Sequence, residues 1–135
     1  MPRHANWTAP LIEYLAAAAR KPFKPGHHDC ALFAAGAVAA MTGTDFAAQW
    51  RGRYTTLRGG LRVIRRDGYR DQLDFVARHF AEVPMALAQV GDLAVVPSDQ
   101  GPALGVVQGA SIYVLGPQGL SLVRLTDAIR AYRVE

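Results

Sequence analysis

Between Asp29 and Gly43 the chain runs for thirteen residues, Cys30 to Thr42, without a charged side chain. Ala and Gly fill most of these positions, and the apolar character continues almost all the way round a helical wheel. A helix of this kind is enclosed by other elements rather than half exposed, and its small residues let neighbouring backbones approach closely. Its ends are marked. The Asp29 carboxylate suits the N-cap, where it accepts from the orphan N–H groups of the first turn. Gly43 stands where a left-handed C-terminal cap is wanted. The rest of the fold has to be built around this buried helix.

The chain's single cysteine, Cys30, opens the helix. Partial positive charge in a first turn favours thiolate over thiol, which is how thiol hydrolases present a nucleophile. The competing reading is a small buried hydrophobe. One cysteine excludes an internal disulfide framework and a four-cysteine zinc site. His27 and His28 precede the helix as candidates for a base or, with Cys30 and Asp29, for a metal site. Adjacent side chains before a helix diverge, so a loop histidine satisfied by backbone or water is the alternative.

The remaining elements follow from period and punctuation. Residues 8 to 20 form the first helix, with Thr8 as cap and Leu11, Ile12 and Leu15 as its apolar stripe. Trp7 packs just before it, as in a hydrophobic staple. Residues 21 to 28 form a loop, with Phe23 plugged into the core. Thr44 and Asp45 cap a short helix through Trp50. Thr56 caps another from about Leu57 to Asp67, with Leu57, Leu61 and Ile64 inward and its arginines outward. Residues 71 to 80 make a short helix with Leu73, Val76, Ala77 and Phe80 inward, and Pro84 closes this half.

The second half changes to short apolar and β-branched runs, at residues 93–96, 104–108, 112–115 and 120–125, separated by Pro, Gly and Asp turns. Such spacing predicts an antiparallel meander. Thr126 caps one helical turn over 126–131, and residues 131 to 134 add a last strand. Gly91-Asp92 reads as a turn tied down by the Asp92 carboxylate. Helices first and sheet second is the α+β layout. With 135 residues, half of them hydrophobic, the expectation is one folded domain, its helical half over about 8–80 and its sheet half over about 90–135.

The formal charge is +4, unevenly placed. Arg51, Arg53, Arg58, Arg62, Arg65, Arg66 and Arg70 fall within twenty residues, opposed only by Asp67. Such a run suits phosphates, a solvated face or an acidic partner. Without an aromatic stacking motif or a recognition-helix pattern, nucleic acid is the less favoured partner. No apolar run has the length to cross a bilayer, and the first residues lack the apolar core of a signal peptide. No cofactor and no metal is expected, the loop reading of His27 and His28 being preferred to a metal site.

Three segments resemble a known family. Gly26-His27-His28-Asp29-Cys30 with its Ala-rich helix looks like the nucleophile segment of the NlpC-type, papain-like cysteine peptidases. Val90-Gly91-Asp92-Leu93-Ala94-Val95-Val96 is similar to that family's Gly-Asp-Leu strand. Ala103-Leu104-Gly105-Val106-Val107 falls where the family has His-Val-Gly-Ile and a hydrophobic residue. The likeness is greatest to a compact branch carried by tailed phages, prophages and gene transfer agents among tail-tip genes. It implies a nucleophile helix packed on a small curved sheet, with Gly105 making room for the helix. It also aligns the catalytic histidine with Ala103, which takes no proton, and the third polar residue with Tyr113 or Val114.

Two functions are therefore expected. The first is a structural tail-tip or baseplate component on a degenerate hydrolase fold, made in the host cytoplasm and resident in the virion tail. It would meet other tail proteins through Trp7 and the arginines at 51, 53, 58, 62, 65 and 66. The second is a cysteine peptidase or amidase cutting peptidoglycan during entry, with Cys30 as nucleophile and His28 or His27 as base.

Overall fold

The computed structural model describes residues 2–135. Four helices come first, α1 (Thr8–Ala18), α2 (Cys30–Thr42), α3 (Leu57–Arg66) and α4 (Gln72–His79). Six strands follow, β1 (Ala81–Val83), β2 (Leu93–Val96), β3 (Ala103–Gln108), β4 (Ser111–Gly116), β5 (Gly119–Arg124) and β6 (Arg130–Arg133). The class is α+β. The strands form one antiparallel sheet in the order β1-β6-β2-β3-β4-β5.

Local chemistry sets the helix ends. Asp29 adopts extended backbone and accepts from Leu32 N at 3.0 Å, and Gly43 takes the left-handed cap at φ 81°. Thr56 caps α3 through Gly59 N, and Asp71 caps α4 through Asp74 N. Helix α2 is buried along most of its length, with Phe33, Ala34, Ala35, Ala37, Val38 and Met41 fully enclosed. It lies across β3 and β4, with α1 beside it.

The sheet alternates as a period of two demands. Leu93, Val95, Leu104, Val106 and Leu115 face the helices in the main core. Ala94, Val96, Val107, Ile112 and Val114 form a smaller core on the other face. Ala88 and Leu125, beside short 3₁₀ turns at Met85–Leu87 and Leu125–Asp127, pack against that second core. Asp92, fully buried, ties more than its own turn. It accepts from Gln89 N and Val134 N and pairs with Arg3 and Arg133. The N-terminal arm, the β2 turn and the C-terminal strand thus meet on one carboxylate.

Several local expectations give way to packing. Thr8 lies inside α1, which starts after Trp7 with no side-chain cap. Ile12 is 55 % exposed. Tyr14 turns inward instead, donating to Phe33 O at 2.8 Å and stacking on the Phe33 ring. Gly36 admits that ring, since a Cβ there would collide with the Tyr14 hydroxyl. Residues 46–50 form turns rather than a helix, although Asp45 does cap them through Ala47 N and also pairs with Arg51. On α4 the buried residues are Asp74, Phe75 and Val76, while Ala77 is exposed. Phe75 is claimed by the rings of Phe46, Trp50 and Tyr69. Gly105 makes room for β4, where Ile112 and the Tyr113 carbonyl crowd it, and not for a helix. Residues 125–127 form the 3₁₀ turn without a Thr126 cap, and β1 pairs with β6 in addition to the expected meander.

Candidate functional site

Helix α2 starts at the base of a cleft of about 500 Å³. Cys30 and Ala31 line it from α2, Leu57, Leu61 and Ile64 from α3, and Asp71 and Gln72 from the start of α4. Residues 98–103 and the hairpin turn at 116–118 close the opposite side. The cleft lies where the helical layer meets the ends of β3 and β4.

The start of α2 is rigidly held. Besides capping Leu32, the Asp29 carboxylate accepts from Gly26 N at 3.0 Å and from the Tyr54 hydroxyl at 2.6 Å. Gly26 has φ 85°, and a Cβ there would strike the Tyr54 carbonyl oxygen. Only glycine fits that turn. Burial, together with the bond to Asp29, pushes the Tyr54 hydroxyl well above the ordinary phenol range. Asp29 is thereby used as a structural tie, its two oxygens already engaged.

Cys30 is partly buried in this wall. Its sulfur accepts from the Gln72 amide Nε2 at 3.3 Å and lies 3.7 Å from Gln72 Oε1. Burial raises the thiol above its usual value, against the lowering effect of the Gln72 donor, and the Asp29 charge adds to the rise. The helix start does not outweigh these contributions. The thiol form is favoured at neutral pH, the reverse of activation.

Neither candidate histidine meets the sulfur. The ring of His28 is buried against α1, with Nε2 3.1 Å from the Ala18 carbonyl oxygen and its edge toward Phe33. Burial holds its pKa below the ordinary imidazole value. His27 is exposed and lies outside the cleft lining. His79 bonds the Tyr69 hydroxyl at 2.9 Å, at the far end of α4. Ala103 does line the cleft, as does Val114. Among the described residues, no three His, Cys, Asp or Glu side chains cluster to hold a metal ion.

The expected contact residues divide. Trp7 is half-buried under the Arg3 guanidinium, 4.2 Å from its ring. Arg51 is engaged internally, with Asp45 at 2.6 Å and the Leu32 carbonyl at 3.2 Å. Arg53, Arg58, Arg62, Arg65 and Arg66 are exposed. Sequence reasoning missed Gln72 and Tyr54. Gln72 stands 42 residues from Cys30, beyond the reach of any local pattern. The Asp71 cap, which fixes the start of α4, was the available signal.

Among the described residues, no helix is long and apolar enough to cross a membrane. Compared with known families, residues 2–134 match the one described as Domain of unknown function (DUF6950), and the chain belongs to that family. No curated protein matches the chain.

Proposed function

We propose that this DUF6950 member is a non-hydrolytic, NlpC-like component of the tail of a tailed phage, prophage or gene transfer agent. It acts through contacts with neighbouring tail-tip or baseplate proteins and resides in the virion tail. The observation that carries the absence of turnover is the partner of Cys30. The sulfur meets the Gln72 carboxamide, while the His28 ring is bonded to Ala18 O. A carboxamide takes no proton at neutral pH, so a thiol facing it has no general base. The raised thiol pKa works in the same direction. The tail setting rests on the resemblance of the segments around Cys30, Asp92 and Ala103 to the phage-borne branch. Cys30 and Ala103 both border the cleft, with Ala103 on the sheet face of the second core, turned away from the helices.

A second reading, a cysteine peptidase or amidase acting on peptidoglycan, is favoured by the opening of Cys30 onto a cleft. It needs a base from a partner chain. Incubation of purified protein and of Cys30→Ala with peptidoglycan sacculi separates the two. Equal, background release of new amino groups is expected. Release that depends on Cys30 would overturn the first reading. The contact role predicts that particles lacking the gene fail to assemble or infect, and normal infection would refute it.

A further inference from the structure

The cleft and the basic side of α3 form one continuous surface. Leu57, Leu61 and Ile64 line the cleft. Arg58, Arg62, Arg65 and Arg66 occupy roughly the next third of the helix circumference, at 100° per residue. The ten residues of α3 include no acid. Each of the seven ion pairs among the described residues uses an arginine from outside α3. Arg65 reaches only a backbone carbonyl, that of Arg70. Like charges four apart, Arg58 with Arg62 and Arg62 with Arg66, repel one another along the free helix. Leu57, 43 % exposed, marks the border between this charge and the apolar cleft.

We infer that this surface docks an acidic segment of a partner protein, with an apolar side chain in the cleft and carboxylates against Arg58, Arg62 and Arg65. The inference rests on the contact reading of the cleft given above. Charge complementarity selects an anion, and the apolar cleft beside the arginines selects a peptide. A phosphodiester chain would use the arginines and leave the cleft empty. The rings at the cleft floor do not form a platform for bases, since Phe46 and Trp50 both pack on Phe75 at 5.1 and 5.2 Å.

The test is selection from a yeast-displayed random peptide library against the intact chain at low ionic strength. Enriched sequences should combine Asp or Glu with a Leu, Ile or Phe. The best peptide, measured by fluorescence anisotropy, should lose about tenfold in affinity to Arg58→Glu/Arg62→Glu. Leu57→Ser should weaken it as well. These side chains are exposed, so unchanged thermal unfolding verifies that the variants fold. No enrichment, enrichment without acidic bias, or equal binding to the charge-reversed variant would overturn the inference. So would tighter, arginine-dependent binding of oligothymidylate. Cys30-dependent cleavage of sacculi would fell the underlying reading, whereas a failed selection with intact sacculi would fell this inference alone.

Discussion

Asp92→Asn tests how the two ends of the chain are held to the sheet. In the wild type, Oδ1 accepts from Arg3 Nη2 at 3.0 Å and from Val134 N at 3.1 Å. Oδ2 accepts from Gln89 N at 2.9 Å and from Arg133 Nε at 3.3 Å. An asparagine keeps one of the two acceptor oxygens. Whichever way the amide turns, its NH₂ faces two donors. The Arg3 side chain, only 12 % exposed, also loses its counter-charge. Breaking a buried ion pair by removing one partner costs about 3–5 kcal/mol. The 26 % exposure of Arg133 argues for the lower end, about 3 kcal/mol. With an unfolding entropy of about 2.1 cal/mol/K per residue, the 135-residue chain should lose about 10 °C in Tm. Thermal unfolding at pH 7 measures this, with Asp99→Asn as an exposed control expected to shift little. Hydrogen exchange should show faster exchange at Gln89 and Val134. A Tm loss no larger than that of the control would refute the argument that this charge holds the ends.

Gly36→Ala should destabilise by about 1–3 kcal/mol through its collision with the Tyr14 hydroxyl, and adding Tyr14→Leu should recover part of the loss in urea titrations. His28 is kept neutral by burial, so its contribution to stability is complete above the ordinary imidazole pKa of about 6.5. That contribution should be lost as pH falls through the lowered folded value, and His28→Gln should flatten the fall in urea midpoint between pH 7 and pH 5. Gln72→His places an imidazole where a carboxamide now meets the sulfur, and Cys30 alkylation at pH 7 should rise by about tenfold per unit of thiol pKa lowered. In the wild-type protein the same reaction should be slow and titrate above the free-thiol value of about 8.5. Ala103→His extends this test to the position where the family resemblance aligns a histidine.

Several features of the structure were legible because their causes are local. A cap joins residues three apart, so Asp29 and Thr56 marked the starts of α2 and α3. Gly43 marked an end for the same reason. The thirteen uncharged residues from Cys30 to Thr42 required enclosure, and β2, buried at all four positions, was visible as an apolar run bounded by turn residues. Ile12 was placed inward on α1 and Tyr14 passed over because periodicity ranks hydrophobicity. It does not register that Gly36, on another helix, leaves a space shaped for a ring.

The site was decided by tertiary structure. The sequence determined that a cysteine stands at the capped start of a buried helix. It did not determine what faces the sulfur. Gln72 reaches Cys30, and Tyr54 reaches Asp29, because α3 and α4 fold back over the start of α2. His28, two residues from Cys30, turns to the carbonyl at the end of α1, where burial is matched by a hydrogen bond. A helix start can favour a thiolate by proximity alone, yet the balance between its field and desolvation depends on how much protein covers the sulfur. That cover comes from segments distant in sequence, so the state of Cys30 is a property of the packed fold.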